Sequence, residues 1–114
     1  MVWEKVLLHG DYGLIFWRDF AAKHRKPLSI PEWGVDSRPD KHSGLDNPKF
    51  IEQMHAFITD PSNRVFFHCY FDVQAPDGGH QLSPGLGGTD VTRFPDASAG
   101  FKSLFGGVTE HRDK

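Results

Sequence analysis

Apolar positions recur with helical spacing in three stretches of the chain, and two further stretches carry the β-branched and aromatic residues of strands. Asp11 is a candidate N-cap for a first helix running to about His24, with Leu14, Trp17, Phe20 and Ala21 on one side and Arg18, Asp19 and Lys23 on the other. Lys26-Pro27 ends it, because proline disfavours the helical conformation in the residue before it. Leu28 to Trp33 reads as a short strand ending at Gly34, although Pro31 lacks the N–H that a central ladder position needs. A polar loop from Val35 to Asp46 follows. Asp46 or Asn47 caps a second helix, with Pro48 near its first position and Phe50, Met54, Phe57 and Ile58 on its apolar face; Asp60-Pro61 terminates it. Arg64 to Val73 is the clearest strand. After it comes a long loop rich in Gly and Pro (Pro76, Gly78, Gly79, Pro84, Gly85, Gly87, Gly88), of the kind that is functional or disordered in compact domains. Pro95 opens a last helix with Ala97, Phe101, Leu104 and Phe105 on one face, closed by Gly106-Gly107.

The order helix, strand, helix, strand, helix predicts an α/β fold with parallel strands and helical crossovers. Such sheets are buried on both faces, which two strands cannot accomplish alone. A (β/α)₈ barrel uses ~250 residues, about thirty per unit. These 114 residues are therefore a very small α/β domain or a piece of a barrel.

Charge narrows the partners. Thirteen Lys and Arg are interleaved with fifteen Asp and Glu, for a net charge of −2, so no basic block tracks a phosphate backbone and nucleic acid is not expected. No apolar run reaches the ~18 residues of a membrane span, and Glu4 and Lys5 interrupt the apolar start, so no signal peptide and no membrane partner are expected. The single Cys69 excludes an intrachain disulfide and a multi-cysteine metal site. Ten Phe among fifteen aromatics exceed the needs of a small core, so some face a ligand or a partner surface.

Strict strand alternation sorts the chemistry. Leu28, Ile30 and Glu32 share one face of the first strand; Ser29, Pro31 and Trp33 share the other. In the second, Phe66, His68, Tyr70 and Asp72 lie together, opposed by Phe67, Cys69, Phe71 and Val73, which are expected to meet helices. Ligands of parallel α/β folds bind beyond the carboxyl ends of the strands, where Glu32, Tyr70 and Asp72 fall. On this ground alone Glu32 is either a site carboxylate or a surface residue at a strand-to-loop junction. His68 is a site residue or a satisfied strand histidine. Trp33 is a stacking platform or core. Asp36, Arg38, Asp40 and His42 line a cleft or a solvated loop, and His80 lies in the long loop. The (i, i+4) pairs His42/Asp46 and His68/Asp72 do not sit on helices, so no metal site is expected, and Cys69 is expected to be a buried, inert thiol. Gly85-Leu86-Gly87-Gly88 lacks a P-loop lysine.

The residues also resemble a known family. Gly13-Leu14 with Phe20-Ala21-Ala22-Lys23-His24, then Lys26-Pro27-Leu28-Ser29-Ile30-Pro31-Glu32-Trp33-Gly34, is similar to the sixth helix and seventh strand of a clan A glycoside hydrolase, with family 26 the nearest likeness. The likeness continues through Asp46-Asn47-Pro48 and Phe50, Arg64 to Asp72, Phe94-Pro95-Asp96-Ala97 and Phe101, nearly the whole chain in order. It implies that residues 1–108 are the C-terminal portion of a (β/α)₈ TIM barrel, with strands 7 and 8 and helices 6 to 8, followed by a flexible tail at 109–114. It also implies a retaining O-glycoside hydrolase acting on a β-linked polysaccharide, mannan-like first and glucan or xylan next. Glu32 matches the family's nucleophile. His68, Tyr70, Trp33 and Asp72 would bind substrate or hold Glu32, and Asp72 stands where the family carries Asn. No cofactor is implied, because carboxylates alone run this chemistry. The parent enzyme would be secreted.

The family places its acid/base glutamate at the end of strand four, and Glu4, Glu52 and Glu110 match no acid/base motif. Two further expectations follow: a non-catalytic remnant or carbohydrate-binding fragment that needs a partner half or self-association, or a self-contained small α/β domain of unrelated function.

Overall fold

The computed structural model describes residues 3–36, 45–75, 78–82 and 94–106. A π-helical segment, Trp3–Leu8, precedes α1 (Leu14–Lys23), β1 (Leu28–Trp33), α2 (Pro48–Thr59), a 3₁₀ turn (Pro61–Asn63), β2 (Val65–Tyr70), the short strands β3 (Gln74–Ala75) and β4 (Gly78–Gly79), and α3 (Pro95–Phe105). Arg38, Asp40, His42, the Gly85–Gly88 run and the 109–114 tail lie outside the described residues.

Local chemistry accounts for most boundaries. Gly13, not Asp11, is the N-cap of α1, and it supplies no side-chain bond. The helix ends in a Schellman motif: the Arg25 amide donates to the Ala22 carbonyl and the Lys26 amide to that of Ala21. Arg25 takes the left-handed conformation there (φ 60°), a place usually given to glycine. Asn47 caps α2 by accepting the Phe50 amide, with Pro48 in the first turn. Asp60 caps the 3₁₀ turn through the Ser62 amide and hydroxyl, and both bonds hold its carboxyl below the usual range.

The described sheet is small. β1 and β2 pair in parallel, joined by the α2 crossover, and β3 pairs antiparallel with β4. Neither parallel strand keeps strict alternation. Leu28 pairs with Val65, Ser29 with Phe67, Ile30 with His68 and Trp33 with Tyr70, so one extra residue is accommodated near Phe66 in β2 and one between Ile30 and Trp33 in β1. Pro31 sits in the β1 irregularity, where its missing N–H costs least.

These two irregularities decide what is buried. Leu28, Ile30 and Trp33 from β1, with Val65, His68 and Tyr70 from β2, form the face packed against α2 and α3. Ile51, Met54 and Phe57 of α2 and Ala97 of α3 complete the core, with Val35, Leu82 and Phe94 from the connecting segments. Phe50 and Ile58, expected inward, pack at its margin, while Ile51 of α2 and Ala97 of α3 have none of their surface exposed.

Several facing expectations are overturned. Phe67 and Cys69, expected under helices, are exposed, as are Ser29, Pro31 and Phe66. Trp17 and Phe20 of α1, expected inward, are also exposed, while Leu14 and Ile15 turn toward the core. The helical period was legible, but the side that finds cover was not.

Candidate functional site

The C-terminal ends of β1 and β2 carry the candidate residues. Trp33 is buried at their junction, ringed by Phe50 of α2, Phe101 and Phe105 of α3, and Tyr70 of β2. Its indole Nε1–H donates to His68 Nδ1 at 3.1 Å. An indole N–H is a donor only, so Nδ1 must be the acceptor and Nε2 carries the ring proton. Burial pushes the His68 pKa down from 6.5, with the nearby His55 of α2 adding to the effect.

Two positions along β2, the Tyr70 hydroxyl accepts the Val35 amide at 3.1 Å and donates to the His80 carbonyl at 2.7 Å. Burial raises its pKa to about 12; the Val35 bond opposes this and the Asp72 charge adds to it. Gly34 lies against the Tyr70 ring, where a Cβ would come within 3.2 Å of Cζ. His80 closes the arrangement: its Nδ1 lies 2.8 Å from the Val35 carbonyl, an acceptor, which assigns the proton to Nδ1 and leaves Nε2 as the ring's lone pair when neutral. The Asp36 carboxylate lies 3.7 Å from the same nitrogen. Asp72 Oδ1 accepts the Leu82 amide at 2.6 Å. The segments after β1 and after β2 are thus tied together by side chains from both.

Glu32 stands apart from this network. It is exposed, next to Pro31 in the β1 irregularity. The expected grouping of Glu32 with His68 and Tyr70 on one face is corrected, because the extra residue between Ile30 and Trp33 gives that place to Trp33. Trp33, His68 and Tyr70 come together against the helices, and Asp72 follows the end of β2 as an exposed side chain bonded to the next loop. What sequence reasoning missed is the role of Gly34 and Val35 as the seat of Tyr70. The signal was present in the glycine that directly follows a strand-ending aromatic. Among the described residues, no three His, Cys, Asp or Glu side chains gather as a metal set would require.

A cavity of about 240 Å³ opens beside this junction, lined by Leu7, Gly34, Val35, Asp36, Leu45, Asn47 and Phe50. Comparison with family models, with curated proteins and with solved structures finds no match to this chain.

Proposed function

We propose that this chain is the C-terminal portion of a (β/α)₈ barrel from a retaining glycoside hydrolase acting on a β-linked glycan, mannan-like first, with Glu32 as nucleophile. The observation that carries the reading is the position of Glu32: an exposed carboxylate near the C-terminal end of a strand paired in parallel with its neighbour, while Trp33 beside it anchors to the helix-covered face. The helix-covered face of a barrel strand is the outer one, and a carboxylate set off from it serves an interior, substrate-facing site. The order of the Pro31-Glu32-Trp33-Gly34 segment and its companions along the chain supports the same reading.

In this mechanism the Glu32 carboxylate attacks the anomeric carbon as the glycosidic C–O bond breaks. A second carboxyl, contributed by another part of the barrel, protonates the leaving oxygen. Water, deprotonated by that second group, then cleaves the glycosyl ester with net retention, the two carboxyls standing ~5–5.5 Å apart. Trp33, His68 and Tyr70 fix the strand ends rather than touch the sugar, since they are turned into the helical layer.

A second reading, a non-catalytic remnant or carbohydrate-binding fragment that needs a partner half, is favoured by the exposure of Phe66 and Phe67 on β2. One construction separates the two. Joined to a first barrel half of the family, the chain should hydrolyse a β-linked glycan with retention. Glu32→Gln should then abolish turnover, and azide should partly rescue Glu32→Ala with inversion from an activated substrate. Full activity in the rebuilt Glu32→Gln barrel would overturn the assignment.

A further inference from the structure

The Trp33–His68 hydrogen bond joins the two parallel strands through side chains next to the β1 irregularity that carries Glu32. Trp33 has the buried indole that follows the extra residue, and its N–H has one acceptor, His68 Nδ1. That acceptor can be abolished by a single proton: once Nδ1 is protonated, two N–H donors face each other and the bond is lost. We propose that Trp33 and His68 are positioning residues for Glu32, forming a pH-sensitive anchor that holds the Pro31–Glu32 bulge in place while the His68 ring is neutral and releases it when the ring is protonated. The proposal rests on the reading of Glu32 as the working carboxylate for its functional consequence, but the coupling is a property of the chain itself.

The surroundings favour a ring that is neutral near pH 7. Phe105 of α3 packs on His68 at a centroid distance of 5.0 Å, and Trp33 at 5.9 Å. The elements packed around it carry Lys49, Glu52 and His55 on α2, Asp96 and Lys102 on α3, Glu32 on β1, and Cys69 and Tyr70 on β2; of these, His55 shares Phe105 as a ring neighbour with His68. Among the described residues, His55 is the charge that acts on the ring, and it opposes a second positive charge there. Burial depresses the His68 pKa in the same direction.

The test is a titration of the ¹⁵N-labelled full chain from pH 8 to pH 5, reading the indole N–H signals, the His68 ring nitrogens and the Glu32 backbone amide. The Trp33 indole is assigned by its loss in Trp33→Phe. The expected result is that the Trp33 indole and the Glu32 amide shift with the midpoint of His68, while the Trp3 and Trp17 indoles do not share it. In His68→Asn, whose side-chain oxygen occupies the place of Nδ1 but does not titrate, both transitions should vanish with the signals fixed near their high-pH positions. In His68→Leu they should sit at the low-pH positions throughout; if that variant does not fold, the wild-type and Asn titrations still decide. A Glu32 amide that ignores the His68 midpoint would overturn the proposal. So would a transition that persists in His68→Asn, which assigns it to His55 or another group. An inactive rebuilt barrel would instead remove the nucleophile reading and leave this coupling standing.

Discussion

Asp46 caps a helix that begins about fifty residues later: its Oδ1 accepts the Ala97 amide at 2.8 Å and its Oδ2 the Asp96 amide at 3.0 Å. The adjacent Asn47 caps α2 through the Phe50 amide, so two neighbouring residues serve two helices. The carboxylate also meets the positive end of the α3 dipole. Phe94, the residue in the N-cap position of α3, is nearly fully buried and offers no side-chain cap of its own.

Asp46→Ala should therefore destabilise the chain by about 0.5–2 kcal/mol, the usual range for losing a cap. Urea denaturation measures the loss, and exchange of the Asp96 and Ala97 amides should accelerate before that of α2 amides. Asp46→Asn, which keeps an acceptor but not the charge, should fall between the two.

The seat of Tyr70 gives a second expectation. Tyr70→Phe leaves the Val35 amide and His80 carbonyl without their partner and should cost about 1–3 kcal/mol. Gly34→Ala brings a methyl within 3.2 Å of the ring and should cost about 1–3 kcal/mol by overpacking. In a Tyr70→Leu background the Gly34→Ala cost should shrink, and a double-mutant cycle with additive losses would show that the two sites do not act on each other.

His68 sets a pH dependence. Its folded-state pKa lies below the ordinary 6.5, so the folded form binds the proton less readily than the unfolded form. Its contribution to stability is full above about pH 6.5 and is lost as pH falls through that value toward the folded pKa. The melting temperature should drop across this window in wild type and drop less in His68→Asn. Equal slopes in the two proteins would remove His68 as the cause.

The aromatic ladder formed by Tyr12 and the first turns of α1 predicts association. Tyr12, Phe16, Trp17 and Phe20 are each more than 40% exposed, and their rings touch in sequence. Contiguous exposed apolar surface of this kind drives self-association. Sedimentation should show average mass rising above 12.9 kDa with concentration, and the double substitution Phe16→Gln/Phe20→Gln should bring it back toward the monomer. A wild-type chain that stays monomeric at every concentration would contradict this.

The sequence by itself determined the elements whose limits are written in local chemistry. The Leu28–Trp33 strand, the Asn47-Pro48 start and Asp60-Pro61 end of α2, and the opening of α3 at Pro95 all follow from caps and from residues that cannot donate an N–H. Parallel pairing of the two longer strands likewise follows from the helix placed between them. Facing was decided only by tertiary structure. Alternation assigns sides relative to a neighbour, and one extra residue in each strand reverses that assignment for everything beyond it. That is why Trp33, and not Glu32, joins His68 and Tyr70, and why Asp46 finds its helix only when α2 and α3 pack together. Which side of a periodic segment is covered depends on where distant helices dock, a contact between residues far apart in the chain that no local pattern contains.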